Sequence, residues 1–156
     1  MRKRIGTIVI LVIAVIALGA GVTFWTNNAK VAGWADPTNG EQLALGEKVY
    51  IENCASCHGL ELEGQPNWQM PLLSGGFPAP PHDETGHTWH HPDRQLFEIT
   101  KWGTAALIGP DYQTTMGPFG ELLSDDEIRA VLAYIKSRWP ENIRARQADA
   151  TARSGN

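Results

Sequence analysis

The chain has 156 residues, the length of one domain with short extensions, and its 42% hydrophobic and 19% charged residues indicate a folded rather than a disordered protein. All 17 acidic residues but only ten of the 13 basic residues follow position 25, so this part has seven more acidic than basic residues. That balance excludes a nucleic-acid-binding protein held by a general basic surface. Two cysteines are too few for a disulfide scaffold.

An uncharged, mostly apolar stretch covers residues 8–25, and three basic residues at positions 2–4 precede it. A helix of this length is roughly 27 Å long, about the thickness of a bilayer's hydrocarbon core. The basic start and Trp25 at the far end predict a cytoplasmic N-terminus. We therefore expect residues 1–25 to be a basic start and an uncleaved anchor, with a cleaved signal peptide as the alternative.

The rest of the chain is predicted to be all-α, because it shows helical spacing and no alternating strand pattern. Residues 26–38 are expected to be a linker, and residues 39–140 the folded domain. Within this domain, apolar spacing predicts a helix from about Gly40 to Asn53. Residues 141–156 are expected to be a frayed polar tail.

Two further helices are predicted near the end of the domain. One fits residues 92–102, with Pro92 in its first turn and Gly103 just beyond its end. The other begins with a capping-box pattern at Ser124 and Glu127, and Pro140 ends it. Between the first helix and these two, residues 59–91 show no sustained period, so something other than secondary structure must organise them.

The residues Cys54-Ala55-Ser56-Cys57-His58 form a C-x-x-C-H motif, the attachment signature of c-type haem. Two thiols three positions apart can reach two vinyl groups on one porphyrin edge, and the adjacent histidine then lies under the ring, where it ligates iron. One covalently bound haem would also supply the apolar core that the irregular segment needs. We therefore expect one haem c, held by Cys54 and Cys57 and ligated by His58.

The cysteine pair has three other interpretations. A thioredoxin-like redox pair requires a strand-helix-strand context that the sequence does not show. A zinc site could combine the cysteines with His87 and His91, but the spacer is twice that of a zinc finger and His58 would have no role. A chance motif that forms a disulfide is the third alternative.

The second axial ligand is expected in a loop before the last helix. Met116 lies there, in Thr-Thr-Met-Gly-Pro-Phe-Gly, whereas Met70 follows His58 by only twelve residues. We therefore predict that His58 and Met116 bind the iron, with a downstream histidine as the alternative to Met116. Thioether ligation raises the reduction potential relative to two histidines, which suits an electron carrier.

From Gly40 to Pro140 the chain resembles a monohaem class I cytochrome c of the bacterial type. The resemblance is carried by Leu-Gly-Glu-Lys-Val-Tyr before Cys-Ala-Ser-Cys-His-Gly, then by the Met116 loop and the last helix up to Trp-Pro. It implies helices wrapped around a covalent haem, with the first and last helices crossing closely. Gly46 and Tyr50 would then pack against Val131 and Tyr134.

The resemblance also implies that the proximal histidine donates its second ring N–H to a proline carbonyl. The candidates for this carbonyl are Pro71, Pro80 and Pro81. We favour the pair Pro80 and Pro81 and, within it, Pro80.

An unusual histidine-rich stretch follows these prolines and ends in Gly-His-Thr-Trp-His-His-Pro-Asp; it resembles an insert found in a subgroup of bacterial cytochromes c. The simpler interpretation is local: the side chains cap the following helix and contact the haem propionates, and Trp89 packs on the haem rim. The alternative is a second metal site, with copper as the expected ion. Its candidate ligands are His82, His87, His90 and His91.

These features together predict a single-electron carrier tethered to the cytoplasmic membrane, with its haem domain on the periplasmic or outer side. It would pass electrons between membrane-bound respiratory or photosynthetic complexes and would not itself be an enzyme. The alternatives are a haem-bearing subunit of a larger dehydrogenase or oxidase, and a haem-based sensor with an open sixth site. The acidic balance predicts a partner surface that is basic or largely apolar.

Overall fold

The computed structural model describes residues 34–154, and its regular structure there is entirely helical. The predicted anchor at 1–25 and most of the predicted linker lie outside the described residues. Among residues 34–154, no helix is long and apolar enough to cross a membrane. In chain order the elements are α1 (Gly40–Asn53), α2 (Ala55–His58), a 3₁₀ turn (Thr88–His90), α3 (Asp93–Trp102), α4 (Thr104–Ile108), α5 (Asp125–Ser137) and α6 (Glu141–Arg153).

Helices α1 and α5 form the main helix–helix contact, and Gly46 makes it close. A Cβ atom at Gly46 would overlap the carbonyl oxygen of Ala130 and the Cβ atom of Tyr134. One turn further along α1, the rings of Tyr50 and Tyr134 lie 5.5 Å apart. The predicted crossing is therefore confirmed, because only a residue without a side chain allows the two backbones to approach this closely.

The ends of the predicted helices follow from local chemistry. At α1, the side chain of Asn39 accepts hydrogen bonds from the backbone of the first turn. At α5, the capping box of Ser124 and Glu127 is present as predicted. Helix α3 begins after Pro92 and ends at Gly103, whose φ of 82° is in the left-handed region that favours glycine.

The expectation of a frayed tail after Pro140 is wrong, because these residues form α6. This helix buries Ile143 and Gln147 on one face, one turn apart, and packs on the 3₁₀ turn. Gln147 donates to the carboxylate of Asp93 (2.6 Å), and Thr151 accepts from the Asp93 backbone N–H (3.0 Å). Hydrogen bonds, more than apolar contacts, therefore hold α6 against the start of α3.

Backbone hydrogen bonds organise the irregular segment between α2 and the 3₁₀ turn. Gly64 donates to the carbonyl of His58 (2.8 Å), Gln65 to that of Ala79 (2.8 Å) and His82 to that of Leu62 (2.7 Å). Leu62, whose carbonyl accepts the last of these hydrogen bonds, is 1% exposed. The segment is thus folded back so that the residues around position 80 lie beside the end of α2.

Candidate functional site

The two cysteines lie where α1 ends and α2 begins, so the chain turns at the motif. Cys54 caps α1, and its carbonyl accepts the backbone N–H groups of Cys57 (3.1 Å) and His58 (2.9 Å). No disulfide joins Cys54 and Cys57. Burial, with the neighbouring Cys57, raises the pKa of Cys54 to about 11, so its thiol is protonated at neutral pH.

His58 is buried, and its ring has a defined hydrogen bond. Its Nδ1 atom lies 2.9 Å from the carbonyl oxygen of Pro80, one of the three prolines considered from the sequence. Since a carbonyl only accepts, Nδ1 carries the proton and Nε2 keeps a free lone pair. Burial lowers the pKa of His58, although the Pro80 hydrogen bond acts in the opposite direction, so the neutral ring is favoured. A neutral imidazole with a free Nε2 is a metal ligand.

His58 and both cysteines line a cavity of about 550 Å³, a volume typical of cofactor sites. Among residues 34–154, no lysine, arginine, aspartate or glutamate lines it. Its apolar wall comes from the irregular segment, from α3, from the loop before α5 and from α5 itself, and includes Phe77, Leu96, Ile99, Phe119, Val131, Leu132 and Ile135. The cavity therefore suits a large, mostly apolar ligand that is reached by two thiols and one imidazole.

Met116 and Met70 differ in their relation to this cavity. Met116 is partly buried and lines it, and its backbone N–H donates to the hydroxyl of Thr114 (3.0 Å). Met70 is 64% exposed and does not line it. Of the two thioethers, only that of Met116 is on the cavity wall with His58.

His82 lies against His58, a relationship that the sequence did not reveal. The two imidazole rings are stacked, with centroids 4.0 Å apart and an angle of 19° between the planes. The His82 Nδ1 atom lies 2.7 Å from the hydroxyl oxygen of Thr88, which is buried. Burial, with smaller effects from His58 and His87, lowers the pKa of His82 well below its usual value.

The remaining histidines of the insert have other neighbours. His87 and His91 line the cavity and contact each other edge to face, and Trp68 stacks on His87 at 5.4 Å. His90 instead stacks on Trp89, with centroids 3.6 Å apart. Across residues 34–154, no three His, Cys, Asp or Glu side chains are arranged to hold a metal ion, so neither the copper nor the zinc alternative gains support.

Trp89 was expected beside the haem, but it does not line the cavity. Its indole N–H donates to the carbonyl of Glu84 (3.3 Å), and the guanidinium of Arg146 in α6 lies 5.8 Å from its ring. The Trp89 ring is thus part of the contact between the 3₁₀ turn and α6. Trp68, which sequence reasoning did not single out, is the tryptophan on the cavity wall.

One feature of the sequence could have indicated the place of His82. It lies two residues after Pro80, so a fold that brings the Pro80 carbonyl to His58 also brings the backbone of His82 near that ring, although the direction of its side chain does not follow. Nothing in the sequence indicated Trp68, because it lies in a stretch without periodicity.

The residues present fit a haem. Cys54, Cys57 and Met116 line the same apolar cavity as His58, whose Nε2 atom has an available lone pair. Such a donor set, imidazole with thioether, is one that iron takes in cytochromes.

Known proteins are similar to part of this chain. The cytochrome c subunits of the cytochrome bc1 complex from Mycobacterium bovis and Mycobacterium tuberculosis are 32% identical to it over 79 residues. That stretch is 51% of this chain but only 28% of each subunit, so the chain spans little more than a quarter of these curated relatives. A crystal structure of cytochrome cL from Methylophaga aminisulfidivorans has a TM-score of 0.49 and 24% identity, covering 70% of this chain and 63% of the other.

A protein-family model described as cytochrome c matches residues 43–139, which is well over half of the chain. The matched range includes the C-x-x-C-H motif, the Met116 loop and α5. Membership of this family indicates binding of haem c, which the spacing of Cys54 and Cys57 also supports. The chain belongs to the cytochrome c family.

Proposed function

We propose that this chain is a monohaem, membrane-tethered carrier of single electrons. The observation that carries the proposal is the arrangement of Cys54, Cys57, His58 and Met116 around one apolar cavity. Cys54 and Cys57 would hold the haem through thioether bonds, and His58 and Met116 would be its axial ligands. A haem bound there supplies the one-electron Fe(III)/Fe(II) couple.

The residues of the chain contribute to this function in three ways. The Pro80 carbonyl fixes the tautomer of His58 and makes its Nε2 atom a stronger donor. A cavity wall to which residues 34–154 contribute no charged side chain would favour the less charged, reduced state of a bound haem. Because one haem moves one electron, we do not assign an enzymatic reaction to the chain alone.

A membrane anchor would complete the carrier. The uncharged stretch at 8–25, preceded by basic residues, supports an anchor with the haem domain on the periplasmic or outer side of the cytoplasmic membrane. A tether raises the effective concentration of the carrier near membrane-bound respiratory or photosynthetic complexes. The mature N-terminus tests this step: sequencing should begin at or next to position 1, and a start at or beyond residue 21 contradicts the anchor.

The carrier function is tested by purifying the protein from membranes of a host that attaches c-type haem. The polypeptide should keep haem after denaturation and run about one haem heavier than the apoprotein, and C54A/C57A should lose it. A redox titration should give one transition with a one-electron slope. Haem that extracts into acid-acetone, or one equivalent of zinc in place of iron, would sink the proposal.

A second candidate function is a haem-bearing subunit of a larger oxidoreductase complex. It is favoured by the similarity to subunits of a cytochrome bc1 complex, although the match covers a small part of them. Mild solubilisation of native membranes followed by size-exclusion chromatography separates the two candidates. A free carrier should elute at the size of the single chain in detergent, whereas a subunit should elute with a fixed set of other polypeptides.

A further inference from the structure

The ring of His58 is held at its edge by one hydrogen bond, from Nδ1 to the carbonyl oxygen of Pro80 (2.9 Å). The covalent bond to Cβ and this hydrogen bond still leave the ring some freedom to rock through coupled changes in χ1 and χ2. A contact on the face of the ring limits this motion. The imidazole of His82 supplies that contact, stacked at 4.0 Å and within 19° of parallel.

His82 can restrain its neighbour because it is itself fixed at three points. Its ring is tied to the hydroxyl of Thr88 (2.7 Å), and its backbone N–H donates to the carbonyl of Leu62 (2.7 Å). Its own carbonyl accepts a hydrogen bond from the indole of Trp139 (2.6 Å). The three residues that form these hydrogen bonds with His82 are all buried: Leu62 is 1% exposed, Thr88 6% and Trp139 2%.

From this geometry we infer that His82 is a positioning residue that sets the orientation of the His58 ring. The inference rests on the proposed function, in which His58 is an axial ligand of the haem iron. A flat ring at position 82 provides the stacking face, and the nitrogen that reaches Thr88 keeps that face in place. The direction of the axial imidazole plane then follows from the fold of the segment around position 82.

The orientation of an axial imidazole has a signature that fold stability alone does not move. In a low-spin ferric haem, the ligand plane determines how unpaired spin is distributed over the porphyrin. The hyperfine-shifted haem methyl resonances in the proton NMR spectrum report this distribution. Three variants test the inference. H82L removes the ring, H82F keeps a ring without nitrogen, and T88V removes the hydroxyl that is hydrogen-bonded to the His82 ring.

We expect H82L to change the order or spread of the four methyl resonances, and T88V to change them less in the same direction. H82F keeps a stacking face but loses the hydrogen bond to Thr88, so it should change the pattern less than H82L and about as much as T88V. H90L is the matched control and should not change the pattern, because His90 stacks on Trp89 and does not line the cavity. Unfolding midpoints of all variants show which of them fold.

The inference is overturned if H82L and T88V, both folded and carrying haem, keep the wild-type methyl pattern. Should H82L fail to fold, T88V and H82F decide: a wild-type pattern in either of them overturns it. Covalent haem is measured on the same samples by its spectrum after denaturation. Its absence from the wild-type protein would reject the proposed function, whereas its presence with an unchanged methyl pattern rejects only the role of His82.

Discussion

The Nζ atom of Lys136 in α5 lies 2.8 and 2.9 Å from the two carboxylate oxygens of Asp93, the first residue of α3, and both side chains are buried. The ammonium group also donates to the carbonyl of Ala35 (2.8 Å), and the carboxylate accepts from Gln147 of α6 (2.6 Å). This one ion pair therefore connects three helices with the segment that precedes α1. Because α3 follows the histidine-rich insert directly, the pair also fixes the end of that insert.

We predict that K136M lowers the free energy of unfolding by about 3–5 kcal/mol, because it leaves the Asp93 carboxylate buried without its cation. Denaturant titration followed by far-UV circular dichroism measures this loss. The control is R94A, which removes an exposed partner of Glu98 and should cost at most about 1 kcal/mol. A loss in K136M no larger than that in R94A contradicts the prediction.

A second prediction concerns the helix crossing. G46A should lower the free energy of unfolding by about 1–3 kcal/mol, since its Cβ atom would overlap the Ala130 carbonyl and the Cβ atom of Tyr134 and force α1 and α5 apart. G40A is the matched control, because a Cβ atom at Gly40 meets no atom within 4 Å. Thermal unfolding of the two variants compares them; equal midpoints would show that the crossing tolerates a side chain.

A third prediction follows from the capping box of α5. The backbone N–H of Ser124, and then its hydroxyl, donate to the Glu127 carboxylate and hold its pKa below the usual 4.5. A carboxyl whose pKa is lower in the folded state stabilises the fold above its unfolded pKa, and this contribution disappears as the pH falls through the folded pKa.

We therefore expect E127A to be less stable than the wild type by about 0.3–1 kcal/mol at pH 7. The difference should shrink as the pH falls below about 4.5. Urea titrations of both proteins between pH 7 and pH 3.5 measure it. S124A is the companion variant, with an expected cost of about 1 kcal/mol at pH 7. A difference that grows on acidification would contradict the assignment.

The parts of the fold that the sequence predicted are those that depend on nearby residues. The capping box joins positions three apart, and the ends of α3 depend on Pro92 and Gly103, so local chemistry is sufficient. The C-x-x-C-H motif likewise carries its chemistry within five residues. For the capping box and for the ends of α3, the pattern and the structure agree because few distant contacts are involved.

The parts that the sequence missed depend on contacts between distant residues. His82 stacks on the ring of His58, 24 positions earlier in the sequence. The segment between them is rich in proline and has no hydrophobic period, so the sequence does not reveal the path of the chain there. Helix α6 was missed for a different reason. It docks through Gln147 and Thr151 as well as Ile143, so its buried face is largely polar and an apolar periodicity does not reveal it.

Met116 is the residue on which the redox behaviour of the proposed carrier depends most. It lies on the cavity wall with His58, whereas Met70 is exposed and away from it. Met1 aside, these are the only methionines in the sequence, and of the two Met116 is the one that lines the cavity. A histidine remains the alternative sixth ligand, and His87 and His91 are the candidates on the wall that do not stack on His58.

We predict that M116A opens the sixth coordination site. The ferric protein should lose a weak sulfur-to-iron band at the red end of its spectrum, and the ferrous protein should bind carbon monoxide readily. The reduction potential should fall substantially, since axial ligands span about 0.8 V across haem proteins.

M70A is the control and should keep the band. If M70A loses the band and M116A keeps it, the ligand assignment is wrong; if both keep the wild-type spectrum, H87A and H91A identify the ligand. Carbon monoxide binding by the wild-type protein at the same rate as M116A would instead favour a sensor with an open site.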